Sequence, residues 1–382
     1  MSFQATRMLT PGPTPIPDRV RLAMAAPLPH HRKDAFKKIM HENQDMLKKL
    51  FCTEGPVIPL ACSGTGSMTA SAFNLFEPGE KVLIATAGHF GDRWIEIAKM
   101  RGLEASVLRW APGQAIEPEA VRAALDADAD IRGVFMQISE TSTGVLHPVK
   151  DVASITRERD VLLVADGISA VSLSPILMDK WGIDCLLTGS QKGLMLPPGM
   201  AFVALSPRAW ARAEQVRPSC YYFDLVAERA NAEKDQTHYT SPISLMVGLN
   251  EALKMLFEYG MDNVFKKQKA LMKMARAGVE AMGLELFVKN EAASTWGLTS
   301  ILLPDGVKAG PVIAKAYANW GVILTAGQGE LKEKVIRLAH MGWVDWADIS
   351  AGLHALASSL PEKPQGAYLE AALEAYSKAL TE

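Results

Sequence analysis

Cysteine is scarce in this sequence. Four cysteines occur among 382 residues, and they are widely spaced, at Cys52, Cys62, Cys185 and Cys220. No C-x-x-C pair is present, so the spacing is untypical of a disulfide framework, a zinc site or an iron–sulfur cluster. We therefore predict no metal site, and we expect a reducing compartment, the cytoplasm.

The sequence also lacks a long apolar run and an excess of charge of either sign. No segment approaches the roughly 20 apolar residues that cross a bilayer, and the start of the chain has no apolar run typical of a signal peptide. Lys and Arg number 40 against 42 Asp and Glu, for a formal net charge of -2. Because no net positive field is available, we expect neither a nucleic acid nor a membrane as partner.

Short apolar segments alternate with helical stretches along the first part of the chain. Such segments are typical of strands in a parallel sheet that helices cover on both faces, and ligands bind at the carboxyl ends of those strands. The pattern predicts an α/β fold with a mainly parallel seven-stranded sheet. Its strands are expected near residues 57–61, 81–85, 105–110, 134–138, 161–165, 185–187 and 200–205.

The length of the chain predicts two domains, and local patterns indicate their limits. Prolines alternate from Pro11 to Pro17, which disfavours a helix and predicts an extended N-terminal arm over residues 1–20. We expect this arm to pack over a partner subunit. A large domain is predicted over residues 21–259, and a smaller α+β domain over residues 260–382.

Two polar features follow predicted strands. The stretch SGTGS, residues 63–67, opens a helix, so its N–H groups and hydroxyls suit a phosphate at the positive helix end. The same stretch could equally be a turn that only connects the strand to the helix. Asp166 ends the apolar run VLLVAD, where a buried carboxylate needs a cation or a strong donor. It could instead cap the following helix.

Two basic residues lie in apolar surroundings. Lys192, in GSQKG, follows the next strand, and burial there would lower its pKa and suit it to Schiff-base chemistry. Exposed loop lysines are nevertheless far commoner. Arg337 lies inside the apolar run VIRL, so its partner should be a carboxylate, either of the protein or of a ligand.

An anion cradle, a strand-end acid, a loop lysine and an arginine are the groups that hold pyridoxal phosphate and an amino acid. Their order resembles that of the class V aminotransferases of fold type I, and within them the alanine/serine–glyoxylate (serine–pyruvate) aminotransferase group. The resemblance covers nearly the whole chain, through TPGPTPIP, SGTGSMTA, EPGEKVLI, ETSTGVLHP, LLVADGISA, TGSQKGLMLPPG and VIRLAHMG.

The resemblance implies pyridoxal 5′-phosphate as cofactor and a role for each matching residue. Lys192 would form the internal aldimine, Asp166 would pair with the pyridine nitrogen, and Phe90 would stack on the ring. Ser142 would contact cofactor and substrate, and Arg337 would bind the substrate α-carboxylate. The phosphate would be held by Thr65, Gly66, Ser67 and Gln191.

The resemblance also implies a homodimer with the active site at the subunit interface. The stretch Thr237–Pro242 resembles the family's Tyr-x-x-Thr-x-Pro segment, so Thr240 would reach the phosphate of the neighbouring subunit. Thr237 stands where the family has tyrosine. Either Tyr239 or Tyr221 could supply the missing phenol.

The implied activity is transamination between alanine or serine and glyoxylate or pyruvate. One assigned arginine favours a monocarboxylic pair over dicarboxylates, although Arg217 or Arg32 could also approach the pocket. An aminotransferase for 2-aminoethylphosphonate and pyruvate is one alternative. A non-enzymatic subunit related to the soluble hydrogenase small subunit is another. A cysteine desulfurase is disfavoured because no cysteine follows Cys220.

Overall fold

The N-terminal arm packs on its own chain in the computed structural model, which describes residues 5–217 and 220–381. Strand β1 (Arg7–Met8) pairs in parallel with Val322 and Ile323, and Leu9 is buried in the C-terminal core. Helix α1 (Asp18–Ala25) begins directly after Pro17, inside the stretch expected to be extended, because a helix can start once the prolines end. The arm thus contacts its own chain, and its expected packing over a partner subunit stays a prediction.

Nine further strands lie in the first part of the chain. They are β2 (Val57–Leu60), β3 (Lys81–Thr86), β4 (Glu104–Arg109), β5 (Ile131–Gln137), β6 (Ser139–Glu140), β7 (Val145–Leu146), β8 (Leu162–Asp166), β9 (Cys185–Gly189) and β10 (Ala201–Leu205). Seven of them form one sheet in the order β2-β10-β9-β8-β5-β3-β4, and β6 and β7 form a small hairpin.

The seven-stranded sheet is mainly parallel. Strand β10 is antiparallel to both of its neighbours, β9 and β2, and the other pairs are parallel. The direction of β10 is therefore opposite to that of the other six strands of the sheet. The predicted α/β fold with a mainly parallel seven-stranded sheet is therefore confirmed. The loops after β2, β3, β5, β8 and β9 meet at one edge of the sheet, which is where a ligand is expected.

Helices cover both faces of this sheet. They are α2 (Asp34–Phe51), α3 (Gly64–Leu75), α4 (His89–Arg101), α5 (Pro118–Ala127), α6 (Val149–Glu158), α7 (Met178–Trp181), α8 (Pro207–Ala213) and α9 (Leu225–Ala232). Alternate strand residues enter different cores, as in β8, where Leu163 packs with α2, α5 and α6, and Val164 packs with α3, α4 and α8. This alternation explains why the strands are almost wholly apolar.

The C-terminal part mixes helices with a second sheet. Its elements are α10 (Ile243–Tyr259), α11 (Met261–Ala281), β11 (Glu285–Leu286), β12 (Leu298–Leu302), α12 (Ala309–Trp320), β13 (Val322–Ile323), β14 (Thr325–Ala326), β15 (Val335–Ala339), α13 (Trp346–Ser359) and α14 (Tyr368–Ala379). The second sheet has the order β11-β12-β15-β14, and its core also contains Leu9 of the arm. None of the helices in the described ranges is long and apolar enough to cross a membrane.

Candidate active site

The loops at the carboxyl edge of the large sheet line a cavity of about 100 Å³ that opens to solvent. Clefts with convergent polar groups are the usual sites for small molecules. Its walls include six side chains from four separate segments of the chain: Thr65, Phe90, Arg93, Asp166, Gln191 and Lys192. The topology of the sheet thus brings together residues that are far apart in the sequence.

Lys192 lies three residues beyond β9 and is only 9 % exposed. Burial lowers the pKa of its amine to about 8, and the positive charges of Arg337 and Arg93 add to this effect, while Asp166 opposes it. A substantial fraction of the amine is therefore neutral near physiological pH. A neutral amine can act as a nucleophile or accept a proton.

The N-terminal arm covers Lys192. The Lys192 Nζ donates a hydrogen bond to the Pro11 carbonyl, and the Thr14 hydroxyl donates to the Lys192 carbonyl at 3.0 Å. Gly12 has a φ of +111°, and a Cβ at this position would lie 2.7 Å from the Lys192 Nζ. Glycine is thus required at residue 12 both by the backbone and by the space that the lysine occupies.

Asp166, at the carboxyl end of β8, is 5 % exposed. Burial raises the pKa of its carboxyl group to about 6, and the like charge of Glu140 contributes to the rise. The N–H of Ile168 donates to Asp166 Oδ1 at 2.8 Å, which partly offsets this effect. Asp166 therefore faces the cavity as a carboxyl group in need of a cationic partner.

The start of helix α3 offers hydrogen-bond donors to the same cavity. The N–H groups of Gly66 and Ser67 donate to the Ser63 carbonyl, which leaves those of Gly64 and Thr65 for a ligand. The Ser67 hydroxyl donates to the Gly64 carbonyl at 2.7 Å and is fully buried. Across the cavity, Gln191 Oε1 is buried without a hydrogen-bond partner within the described ranges. The free N–H groups suit an anion, whereas the Gln191 oxygen needs a hydrogen-bond donor or a reorientation of its amide.

Phe90 is held in place through its backbone by a buried carboxylate. Glu140, on β6, accepts hydrogen bonds from the N–H groups of Phe90 at 3.1 Å and Gly91 at 2.9 Å, at the N-terminal end of helix α4. The Ser142 hydroxyl donates to the same carboxylate at 2.5 Å and accepts from the His89 N–H at 3.1 Å. The aromatic ring faces the cavity, whereas the Ser142 hydroxyl is directed toward Glu140.

Arg337, on β15, is 5 % exposed, and burial lowers the pKa of its guanidinium to about 10, so it is charged at neutral pH. It donates to the carbonyl groups of Ala326 at 2.9 Å and Thr141 at 3.0 Å. No carboxylate of the described part of the chain lies within 4 Å of it. Thr141 lines the cavity, so Arg337 lies at its edge, where the more distant Glu140 offsets its charge only in part.

Two hydroxyl groups flank Arg337 on its sheet. Ser300 of β12 and Thr325 of β14 both pair in register with Arg337, and residues directly opposite each other in antiparallel strands share a face. Ser300 Oγ and Thr325 Oγ1 are buried, and neither has a hydrogen-bond partner in the part of the chain that the structure describes. Buried hydroxyls without partners are costly, which points to a polar ligand beside the guanidinium.

Other residues singled out in the sequence lie away from the cavity. Thr240 is exposed, the Tyr239 hydroxyl donates to the Tyr222 carbonyl at 2.6 Å, and Tyr221 is 80 % exposed. Arg32 donates to the Thr237 carbonyl at 3.0 Å, and the N–H of Arg217 donates to Glu77 Oε1 at 2.8 Å. Neither arginine is among the residues that line the cavity.

Sequence reasoning missed several residues of this site. Arg93 lies three residues after Phe90 on a helix, and that spacing could have placed both on one face. Glu140 stood within a quoted motif but received no role. Ser300 and Thr325 needed the strand register, and the arm residues needed a contact between positions 181 residues apart in the chain.

The raised pKa of Asp166 predicts an effect on stability when no ligand is bound. Folding raises this pKa from 3.8 to about 6, so the folded state holds the proton more tightly and stability falls as the pH rises through this window. The variant Asp166→Asn avoids this cost. At pH 7 it is expected to be more stable than the ligand-free parent by up to about 3 kcal/mol.

Urea unfolding of both ligand-free proteins at pH 4 and pH 7 tests this prediction. The difference in unfolding free energy between Asp166→Asn and the parent should be small at pH 4, where Asp166 is largely protonated in the folded state, and large at pH 7. Equal differences in unfolding free energy at the two pH values would show that the carboxylate charge does not cause the stabilisation.

Known proteins resemble this chain over nearly its full length. The family described as Aminotransferase class-V matches residues 21–335. The serine–glyoxylate aminotransferase of Methylorubrum extorquens is 35 % identical over 345 residues, which cover 88 % of this chain and 86 % of the relative. The soluble hydrogenase 42 kDa subunit of Anabaena cylindrica is 34 % identical over 345 residues, which cover 90 % of each chain.

A solved structure shares the fold. The ureidoglycine–glyoxylate aminotransferase from Bacillus subtilis superposes with a TM-score of 0.93 at 27 % identity, and the match covers 99 % of both chains. The large sheet and the C-terminal part thus occur together in the fold of a solved enzyme.

Proposed function

Because the chain belongs to the class-V aminotransferase family, we propose that it transfers the amino group of alanine or serine to glyoxylate or pyruvate. Family membership confirms the prediction of a pyridoxal-phosphate-dependent aminotransferase of fold type I over the non-enzymatic alternative. The substrates and the role of each residue are our proposal. The observation that carries it is the buried guanidinium of Arg337, which lacks a carboxylate partner within the described ranges and lies at the edge of the Lys192 cavity.

The residues of the cavity suit pyridoxal phosphate. The free N–H donors at the start of α3 suit the phosphate, the Gln191 side-chain amide could donate to it through its nitrogen, and the Phe90 ring suits a flat aromatic partner. Asp166 suits a protonated ring nitrogen. When bound, the cofactor withdraws electrons from the Cα of an attached amino acid, which makes the Cα proton removable.

Each residue then has a defined task. Lys192 would hold the cofactor through its side-chain amine, and the freed amine would serve first as the base for the Cα proton and then as an acid. Asp166 holds a proton at the ring nitrogen. Arg337 binds the α-carboxylate through its free N–H groups. The arm residues Pro11–Thr14 exclude water from the lysine.

A single arginine for the substrate favours a monocarboxylic amino acid. Arg32 and Arg217 do not line the cavity of their own chain, which supports a single arginine for the substrate. Glyoxylate is the acceptor in the names of two of the similar enzymes, and serine is the donor in one of them. These observations support alanine or serine with glyoxylate.

The substrate assignment is tested by measuring products. The purified protein is incubated with pyridoxal phosphate, one donor (alanine, serine, aspartate or 2-aminoethylphosphonate) and one acceptor (glyoxylate or pyruvate), and the new amino acid is quantified. We expect glycine from glyoxylate with alanine or serine. Turnover with only aspartate or 2-aminoethylphosphonate as donor would contradict the proposal.

The two hydroxyls beside Arg337 predict an effect on substrate affinity. In Ser300→Ala and Thr325→Val, the α-carboxylate loses a hydrogen bond, so KM for the 2-oxo acid is expected to rise about tenfold in each. The kcat should change little, because the bond exists before and during the reaction. Ser350→Ala, which removes a hydroxyl bonded only within α13, is the control. An unchanged KM in both variants would exclude the hydroxyls from the substrate site.

We also propose that the enzyme is a cytoplasmic homodimer in which each subunit completes the other's phosphate site. Thr240 and Tyr221 are exposed in the single chain, as residues that reach a neighbour must be, whereas the Tyr239 hydroxyl is already bonded within its own chain. Tyr221 is therefore our choice for the missing phenol. Sedimentation should give twice the mass of one chain, and a fully active monomer would contradict this arrangement.

A further inference from the structure

Arg93 contacts two other residues of the cavity wall, Thr65 and Phe90. It lies on α4 and lines the cavity, and its Nη1 donates to Thr65 Oγ1 at 2.8 Å. Its Cζ lies 5.1 Å from the centroid of the Phe90 ring, within the range of a cation–π contact. The guanidinium thus lies between the expected phosphate site and the expected ring site.

The charge of Arg93 is not compensated by the protein. No carboxylate of the described part of the chain lies within 4 Å of its guanidinium. Asp92, the neighbouring acid on the same helix, accepts hydrogen bonds from Thr86 at 2.9 Å and Arg109 at 2.6 Å. The positive charge of Arg93 extends across the cavity, since it contributes to the lowered pKa of Lys192. A half-buried, unpaired guanidinium in a cavity indicates an anionic ligand.

We propose that Arg93 binds the phosphate group of the cofactor and orients the Thr65 hydroxyl toward the same group. The inference rests on the proposed function only for the presence of the cofactor. Because Thr65 Oγ1 accepts a hydrogen bond from Arg93, the hydroxyl proton is free to be donated to a phosphate oxygen. The remaining N–H groups of the guanidinium supply charge-assisted bonds to that phosphate.

A purely structural role makes a different prediction. If Arg93 only supports the Phe90 ring and Thr65, its loss should weaken the binding of the cofactor ring with or without a phosphate. If it binds the phosphate, its loss should weaken only ligands that carry one. Comparison of pyridoxamine 5′-phosphate with pyridoxamine separates the two roles, because neither ligand reacts covalently with a lysine.

The test measures both affinities by isothermal titration calorimetry on cofactor-free protein, for the parent, Arg93→Gln and Arg93→Lys. In Arg93→Gln the affinity for pyridoxamine 5′-phosphate is expected to fall about 10- to 100-fold, while that for pyridoxamine changes by less than about twofold. Arg93→Lys keeps the positive charge but loses the planar guanidinium, so its affinity for pyridoxamine 5′-phosphate should fall less than that of Arg93→Gln. Arg132→Gln is the control, because it removes an exposed arginine at the N-terminal end of β5, whereas the cavity lies at the carboxyl edge of the sheet. It should bind both ligands with the affinity of the parent.

Three results would overturn the proposal. Equal losses for both ligands would assign Arg93 a structural role, and an unchanged affinity for the phosphorylated ligand would remove it from the site. If the parent protein bound neither ligand, the cofactor assignment and the proposed function would fail as well. If Arg93→Gln does not fold, as judged by circular dichroism, Arg93→Lys must still lose affinity for the phosphorylated ligand alone.

Discussion

Replacement of Lys192 by alanine is expected to lower turnover by about 10⁴-fold, the upper end of what one proton-transferring group contributes. Lys192 is the lysine that lines the cavity, and burial lowers the pKa of its amine to about 8. A methyl group can neither bind the cofactor covalently nor accept the Cα proton. The measurement is the steady-state rate with alanine or serine and glyoxylate, together with the visible absorbance of the protein.

The fold of Lys192→Ala should remain intact. Burial disfavours the charged form of this lysine, so its removal relieves a desolvation cost that offsets the lost interaction with Asp166. Thermal unfolding and circular dichroism check this point. Lys180→Ala, at an exposed lysine on α7, is the matched control and should retain parental turnover and absorbance. Parental turnover in Lys192→Ala itself would exclude the proposed role.

The second large effect is expected for Asp166→Asn, which should lose about 100- to 1,000-fold in kcat, as is usual when a preorganised electrostatic contact is removed. The amide has nearly the shape of the carboxylate and can still accept the Ile168 N–H at its oxygen. It carries no charge, however, and cannot keep a proton on the cofactor's ring nitrogen. We therefore expect the variant to bind the cofactor but turn over slowly.

Two measurements on Asp166→Asn separate these effects. Cofactor titration should give a change in affinity much smaller than the change in kcat. Asp151→Asn, at an exposed acid on α6, controls for the loss of one negative charge. Near-parental kcat in Asp166→Asn would contradict the assigned role. Together with the expected gain in ligand-free stability, the same substitution should therefore stabilise the fold and impair the reaction.

The large sheet and the location of the site were predictable from the sequence. The strands are buried on both faces, so they occur in the sequence as apolar runs. Asp166 ends one strand and Lys192 follows the next, and these two strands are adjacent and parallel. Adjacent parallel strands end at the same edge, which brings their loops together without any knowledge of side-chain packing. The domain boundary at Gly260 stays a prediction, although α10 and α11 meet there and a separate core forms beyond it.

The remaining parts of the site depend on contacts that sequence patterns do not encode. The arm covers Lys192 through a carbonyl group, and any residue can offer a carbonyl. Ser300 and Thr325 flank Arg337 only because of the register of three short strands. Arg93 is different, because the sequence shows that it lies three residues after Phe90 on a predicted helix. The sequence could not reveal that its guanidinium has no carboxylate partner among the described residues.

The central claim is that Lys192 holds the cofactor in the cavity at the carboxyl edge of the sheet. Reduction of the loaded protein with sodium borohydride fixes the carbon–nitrogen bond between cofactor and lysine, and peptide mass mapping then identifies the labelled residue. We predict a single phosphopyridoxyl group on the peptide that contains Lys192. A label on another lysine, or no label on a protein that transaminates, would contradict the account.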